Sequence, residues 1–246
     1  MSHYRRWARA PFEWLASFGS VRNQYQSVHS IAYIVQRRRI FEEYEIDVVI
    51  DVGANVGQFG RQLRAFFSGE IISFEPVSES FRELQNVAQK DPRWRCYQIA
   101  LGAEESRQEI NVASQSVFSS FRETNAYCAS HFGAAATDVQ KEQVQVRRLD
   151  DVIDELLPDA NRRRIFLKMD TQGYDLEVAK GATKTLPRIR ALQSEIALLP
   201  IYAGLPHWSE CIAFYERAGF HVAGLFPNNV DRCRALELDC LMVRAS

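Results

Sequence analysis

The chain has no apolar run long enough for a membrane span or for the core of a signal peptide, although hydrophobic residues make up 46% of its 246 positions. It has no C-x-x-C pair either. Its five cysteines, Cys96, Cys128, Cys211, Cys233 and Cys240, are odd in number and widely scattered. That argues against a disulfide framework or a zinc knuckle and points to a reducing, cytoplasmic setting. An excess of positive charge is missing: 30 Lys plus Arg face 31 Asp plus Glu, for a net charge of −1. Without the electrostatic footprint of a duplex-binding module, nucleic acid is not an expected partner. Also absent are a repeat at a solenoid period and any low-complexity tract. What is left is the composition of a soluble globular protein, one large domain with an appendage.

The sharpest change in composition falls near Glu45, where an aromatic and basic stretch gives way to apolar runs. We therefore read residues 1–45 as an N-terminal helical cap or arm and residues 46–246 as the main domain. Apolar residues from Tyr25 to Phe41 recur at three- and four-residue steps, which suits helices lying on a core. Trp7, Phe12, Trp14, Leu15 and Phe18 are interspersed with Arg5, Arg6 and Arg9. Residues 4–18 would pack against the domain or against a second subunit in a homodimer, with peripheral contact to a membrane surface as the other reading. Two arginine runs, Arg37 to Arg39 and Arg162 to Arg164, read as solvated surface, or else as an attraction for an anionic acceptor such as a nucleotide-linked sugar.

From residue 47 short β-branched runs alternate with amphipathic segments: strands over 48–51, 71–75 and 95–100, helices over 56–67 and 78–90. This is the rhythm of βαβ units, so the expected fold is α/β with a parallel sheet and helices on both faces. The rhythm breaks over 104–143, which is polar and irregular apart from a weak strand at 109–113. We read that stretch as a long functional loop inserted into the domain. Alternation resumes with strands over 144–148, 165–170 and 191–196 and helices over 150–157, 176–186 and 208–218. Two closing strands, 221–226 and 238–243, flank a turn at Pro227, Asn228 and Asn229. Their connection is too short for a crossover helix, so they should be antiparallel.

The sharpest motif is Asp51-Val52-Gly53-Ala54-Asn55-Val56-Gly57-Gln58, directly after the first buried strand and running into a helix. Glycines at 53 and 57 allow a tight bend and a close approach of ligand to main chain. A dinucleotide turn would read G-x-G-x-x-G and seat a pyrophosphate on the helix N-terminus. Here the middle glycine is missing, so the turn suits a cofactor without a phosphate. Glu75 ends the second strand in Ile71-Ile72-Ser73-Phe74-Glu75-Pro76, at the edge where open α/β sheets bind ligands. A carboxylate there can accept two hydrogen bonds from a ribose diol, each charge-assisted bond contributing about 1.5–3 kcal/mol. Pro76 fixes the exit from the strand and aims the acid.

Together with Ala100-Leu101-Gly102, Lys168-Met169-Asp170-Thr171-Gln172-Gly173-Tyr174 and Glu195, these motifs resemble the FkbM-type S-adenosylmethionine-dependent methyltransferases over about Asp47 to Arg244. The resemblance implies a Rossmann-like class I methyltransferase fold, a mostly parallel seven-stranded sheet with an antiparallel last strand. It also implies S-adenosylmethionine as methyl donor and O-methylation of a small-molecule or glycan acceptor. Carried over position by position, Asp51, Gly53 and Asn55 would hold the donor's methionine end, Glu75 its ribose, and Ala100 with Leu101 its adenine. Ala54, Gly57, Gln58, Pro76, Ser119 and Asp170 complete the expected donor-binding set.

Asp170 ends the fourth strand, where the methyl group should project, and an acid there can orient an acceptor hydroxyl and take its proton. Glu195, on the fifth strand, is a second acid for the same task. His131 and His207 are loop histidines that could serve as a base near neutral pH. Family members often carry Glu where this chain has Gln172, and no metal is expected. Two other readings remain: an NAD-dependent oxidoreductase, and a catalytically silent module that binds the donor.

Overall fold

The computed structural model describes residues 21–231 and 233–245. In chain order the strands are β1 (Val48–Val52), β2 (Glu70–Phe74), β3 (Trp94–Tyr97), β4 (Ala100–Leu101) and β5 (Ser106–Ala113). They continue as β6 (Val139–Arg147), β7 (Ile165–Met169), β8 (Ile189–Ala197), β9 (Phe220–Asp231) and β10 (Arg234–Arg244). The helices are α1 (Val21–Glu43), α2 (Gln58–Leu63), α3 (Ser78–Ala88), α4 (Ala126–Phe132), α5 (Ala134–Thr137), α6 (Leu149–Leu156), α7 (Asp175–Lys180) and α8 (Trp208–Arg217).

Continuous apolar runs make β1 and β7 buried on both faces, and their side chains alternate between two cores. Val48, Ile50, Val52, Ile165, Leu167 and Met169 enter one core with residues of α6, α7 and α8. Val49 and Phe166 enter the other, with residues of α1, α2 and α3. The main sheet runs β3-β2-β1-β7-β8-β10-β9. It is parallel from β3 to β8, and β10 is antiparallel to both of its neighbours. This is the expected seven-stranded class I sheet with helices on both faces.

Strand order reverses between β1 and β7, the switch point beside which open α/β sheets hold ligands. Register sharpens that placement. Val52 pairs with both Phe74 and Met169, so Gly53, Glu75 and Asp170 each stand one residue beyond the same level of the sheet.

Four local expectations are corrected. The stretch 104–143 is not a plain loop: β5 and β6 pair antiparallel over their whole length and, with β4, make a second, three-stranded sheet. The strand expected at 144–148 belongs to that sheet, and the one expected at 95–100 is split between β3 and β4. The turn expected at Pro227–Asn229 is extended backbone inside β9, with register shifts near Glu237 absorbing the irregularity. Proline is tolerated because β9 lies at the sheet edge, where an amide can go without a ladder partner.

Helix α1 lies against the main sheet. Phe41 packs on Phe66, Phe67 and Phe166, and Tyr33 meets Phe226 of β9 edge-on at 5.7 Å. Arg37, expected at the surface, is buried with 1% exposure, its guanidinium over the rings of Tyr33 and Phe59. Arg163 and Arg164 are half-buried and pair with Asp47, which ties the start of β7 to the start of β1. The apolar stripe of residues 4–18 lies outside the described residues. Among the described residues, no helix is long and apolar enough to cross a membrane.

Candidate active site

The turn after β1 folds as its glycines require. Gly53 has φ +73°, and a Cβ there would stand 2.0 Å from the Asp170 carbonyl oxygen, so only glycine lets this turn meet the end of β7. Gly57, at φ +83°, opens α2 in the left-handed region. Between them Asn55 is also left-handed, at φ 48°, and its side-chain oxygen is buried without a partner.

Asn55 turns its backbone N–H toward β2, where it donates to Glu75 Oε2 at 2.8 Å; Val77 N–H donates to Oε1 at 2.9 Å. Each oxygen keeps a further lone pair. Glu75 is 6% exposed, and burial raises its pKa from 4.5 to about 7 against the pull of the two amides.

A cavity of about 410 Å³ runs along these strand ends, within the range of about 300–1,000 Å³ common for small-ligand sites. Gly53, Ala54, Asn55, Gln58, Glu75, Pro76, Ala100, Leu101, Ser119 and Asp170 all line it. The second sheet and the segment after it add Ile110, Ser116 and Phe121, so the insertion forms one side of the chamber. That side is tied down by Arg122, which donates to the carbonyls of Gly173 and Gly204.

Asp51 and Gly57 do not line the cavity. Asp51 is fully buried behind it, accepting from Ser73 Oγ at 3.2 Å and standing 3.0 Å from Lys168 Nζ. Lys168 also donates to the Gly53 carbonyl at 3.0 Å and lies 3.5 Å from Asp170 Oδ2. Burial disfavours its charge, but Asp51 and then Asp170 outweigh that and hold its pKa above the ordinary lysine value. The acid expected to touch the donor thus fixes a buried cation, and through it the Gly53 turn and Asp170.

Beyond Asp170 the wall passes to β8 and β10. Gln172, at φ 51°, donates from Nε2 to Asp170 Oδ1 at 3.2 Å and to Glu195 Oε2 at 2.9 Å, while its Oε1 accepts from the Tyr202 hydroxyl at 2.9 Å. Asn228 donates to Glu195 Oε1 at 3.0 Å. Asp239 lies opposite Glu195 in the β8–β10 register and accepts from Gln193 Nε2 at 3.0 Å. Gln193 in turn accepts from the Tyr33 hydroxyl, and that hydroxyl accepts from Arg37, each at 2.8 Å. Burial, then the nearby acids Glu237 and Asp170, push the Glu195 carboxyl well above its ordinary value. Burial and Asp170 raise Asp239 to about 7 against Gln193, Lys168 and Arg37.

The reading of the sequence assigned no role to Tyr33, Gln193, Asn228 or Asp239. Asp170 and Glu195, the two acids it offered for orienting an acceptor, both line the cavity. His207 does not line the cavity; it caps α8, its Nδ1 accepting from Ser209 N–H. The side chain of His131 lies outside the described residues. Among the described residues no group of three His, Cys, Asp or Glu could hold a metal ion.

Strand order, the antiparallel β10 and the glycine turn at the switch point define a Rossmann-like class I methyltransferase fold. Within that class the chain belongs to the FkbM methyltransferases: the model of the methyltransferase FkbM domain matches residues 51–222. A curated relative, methyltransferase sdnD of Sordaria araneosa, is 25% identical over 192 residues, covering 65% of this chain and 73% of its own. Among solved structures, magnesium protoporphyrin IX methyltransferase from Synechocystis PCC 6803, with bound S-adenosylmethionine, aligns over 99% of this chain and 92% of its own at TM-score 0.49 and 11% identity. A putative S-adenosylmethionine-dependent methyltransferase from Listeria monocytogenes aligns over 84% and 98% at TM-score 0.47 and 7% identity.

Proposed function

We propose that the chain transfers a methyl group from S-adenosylmethionine to a hydroxyl oxygen of a sugar, glycan or secondary metabolite. The observation that carries this reading is Glu75: a buried carboxylate in the cavity wall, aimed by two backbone amides, with lone pairs left for a ribose diol. The other residues fit the same donor. The buried, partnerless Asn55 oxygen offers an acceptor to an ammonium group at the turn. The chamber's apolar lining near Ala100 and Leu101 offers a surface for an adenine ring.

The donor supplies a methyl group made electrophilic by its positive sulfur. Sheet geometry supports Asp170 as the residue that faces it. Asp170 follows β7, two strands from Glu75, which follows β2, and neighbouring strands lie about 4.8 Å apart, so the two acids are separated by roughly the span between a ribose and a group beyond its 5′ carbon. In this reading Asp170 would accept the proton of the acceptor hydroxyl as its oxygen forms the new C–O bond and the methyl–sulfur bond breaks, its electron pair returning to sulfur to leave S-adenosylhomocysteine, and Gln172 would hold the carboxylate in place. Lys168 fixes the same carboxylate from behind. Alignment of this kind can lower a barrier by about 7–11 kcal/mol, so no stronger base is required.

Calorimetry with S-adenosylhomocysteine tests the assignment. The wild-type chain should bind it, and Glu75→Ala should bind at least tenfold more weakly, since one lost charge-assisted bond is about 1.5–3 kcal/mol. Equal affinities would remove Glu75 from the donor site.

A further inference from the structure

The inference concerns the acceptor, and it rests on the donor reading above. Three carboxyl groups line the far wall: Asp170 just after β7, Glu195 within β8 and Asp239 within β10, on three neighbouring strands. Among the described residues that line the cavity only Lys168 is basic. It is 3% exposed, and its ammonium group is held by the Gly53 carbonyl, Asp51 and Asp170.

Hydrogen-bond accounting points the same way, independently of charge. Both hydrogens of Gln172 Nε2 go to Asp170 and Glu195, and the Tyr33 hydroxyl donates to Gln193. Asn228 and Gln193 each spend a donor on a carboxylate as well. What the wall presents to a ligand is therefore mostly lone pairs. A carboxylate- or phosphate-bearing acceptor would add negative charge to acids that already repel one another, whereas a cationic group rich in N–H and O–H would draw the proton off Glu195 and Asp239 and complete the network. Among the described residues the acids do not converge as metal ligands, and the donor's sulfonium lies toward Asp170, so a cationic group on the acceptor would supply the positive charge that Glu195 and Asp239 lack.

We propose that the acceptor is a polyol carrying a protonated amine, of the amino-sugar class, with the ammonium group between Glu195 and Asp239 and the reacting hydroxyl at Asp170. Asp239 is held for that contact by the relay from Arg37 through Tyr33 and Gln193. The relay starts on α1, outside the residues matched by the family model, so the arm takes part in choosing the acceptor. Arg37 itself is sealed behind Tyr33 and offers no docking point for an anionic acceptor.

The test uses the full chain saturated with S-adenosylhomocysteine and three hexopyranoses of one scaffold: glucosamine, glucose and glucuronate, titrated by ligand-observed NMR. Glucosamine should bind at least tenfold more tightly than glucose, and glucuronate should be the weakest. Asp239→Asn should erase the preference for glucosamine while leaving S-adenosylhomocysteine affinity unchanged. Glu195→Gln serves as a second variant should Asp239→Asn fail to fold. Equal binding of glucosamine and glucose, a preference for glucuronate, or no hexose bound by a chain that does bind S-adenosylhomocysteine overturns the proposal. A chain that does not bind S-adenosylhomocysteine overturns the donor reading itself, and this inference with it.

Discussion

Glu75 sets the behaviour of the site at the scale of a single residue. Burial raises its pKa to about 7, so near neutral pH the ligand-free carboxyl is partly protonated. A ribose diol donates hydrogen bonds and favours the ionised form, so donor binding must draw the proton off. Affinity for S-adenosylhomocysteine should then rise as pH increases through 7 and level off above it. At pH 6, one unit below that pKa, it should be about tenfold weaker than at pH 8. Glu75→Gln should bind weakly with no such slope between those pH values. A flat profile for the wild-type chain would mean that Glu75 is not the group the ligand meets.

Much at this scale was legible in the sequence because the chemistry demands particular residues. Gly53 has to lack a side chain, since the Asp170 carbonyl fills the place of its Cβ. Glu75 and Asp170 follow buried β-branched or apolar runs, and that position alone puts them on the carboxyl edge. Asp51 was misplaced for an equally physical reason. In sequence an acid before a glycine turn looks like a ligand contact, and only the fold reveals that Lys168 lies behind it.

At the scale of elements, α1 shows where a sequence pattern stops being informative. Nothing in the placement of Tyr33 on a mostly polar helix marks it as part of a cavity wall, because its partner Gln193 is 160 residues away. The second sheet was hidden for another reason. β6 begins Val139-Gln140-Lys141-Glu142-Gln143, almost all exposed, and is extended because it pairs with β5, not because a hydrophobic face drives it. A weak signal for Gln193 and Glu195 did exist: β8 is largely buried yet carries Gln, Ser and Glu in a row, and polar groups on such a strand need partners.

The docking of α1 has a measurable consequence. Tyr33→Phe leaves the ring contact with Phe226 but strips a donor from Gln193 and an acceptor from Arg37, inside a buried network. Leaving such groups unpaired costs about 1–3 kcal/mol, which for a domain of this size lowers the melting temperature by roughly 2–10 °C. An unchanged melting temperature would show that the hydroxyl does not fasten the helix to the sheet.

At the scale of the whole molecule, the sheet divides the labour. The β3-β2-β1 half carries the glycine turn and Glu75, and the β7-β8-β10 half carries the acids of the far wall; the switch point between β1 and β7 joins them. The insertion closes one side through the second sheet, and α1 braces the other through Tyr33. A parallel sheet with helices on both faces could be read from alternation alone, because strands buried on both faces read as short, mostly apolar runs. The shape of the chamber could not, since it is made of contacts between segments far apart in the chain, such as Arg122 with Gly173 and Gly204.

The most direct measurement is a crystal structure of the chain grown with S-adenosylhomocysteine. The account predicts both ribose hydroxyls on the Glu75 carboxylate, the amino-acid end against the turn at Gly53 and Asn55, and the sulfur directed toward Asp170. A nucleoside bound elsewhere, or one seated in this cavity with Glu75 still touching only the amides of Asn55 and Val77, would contradict it.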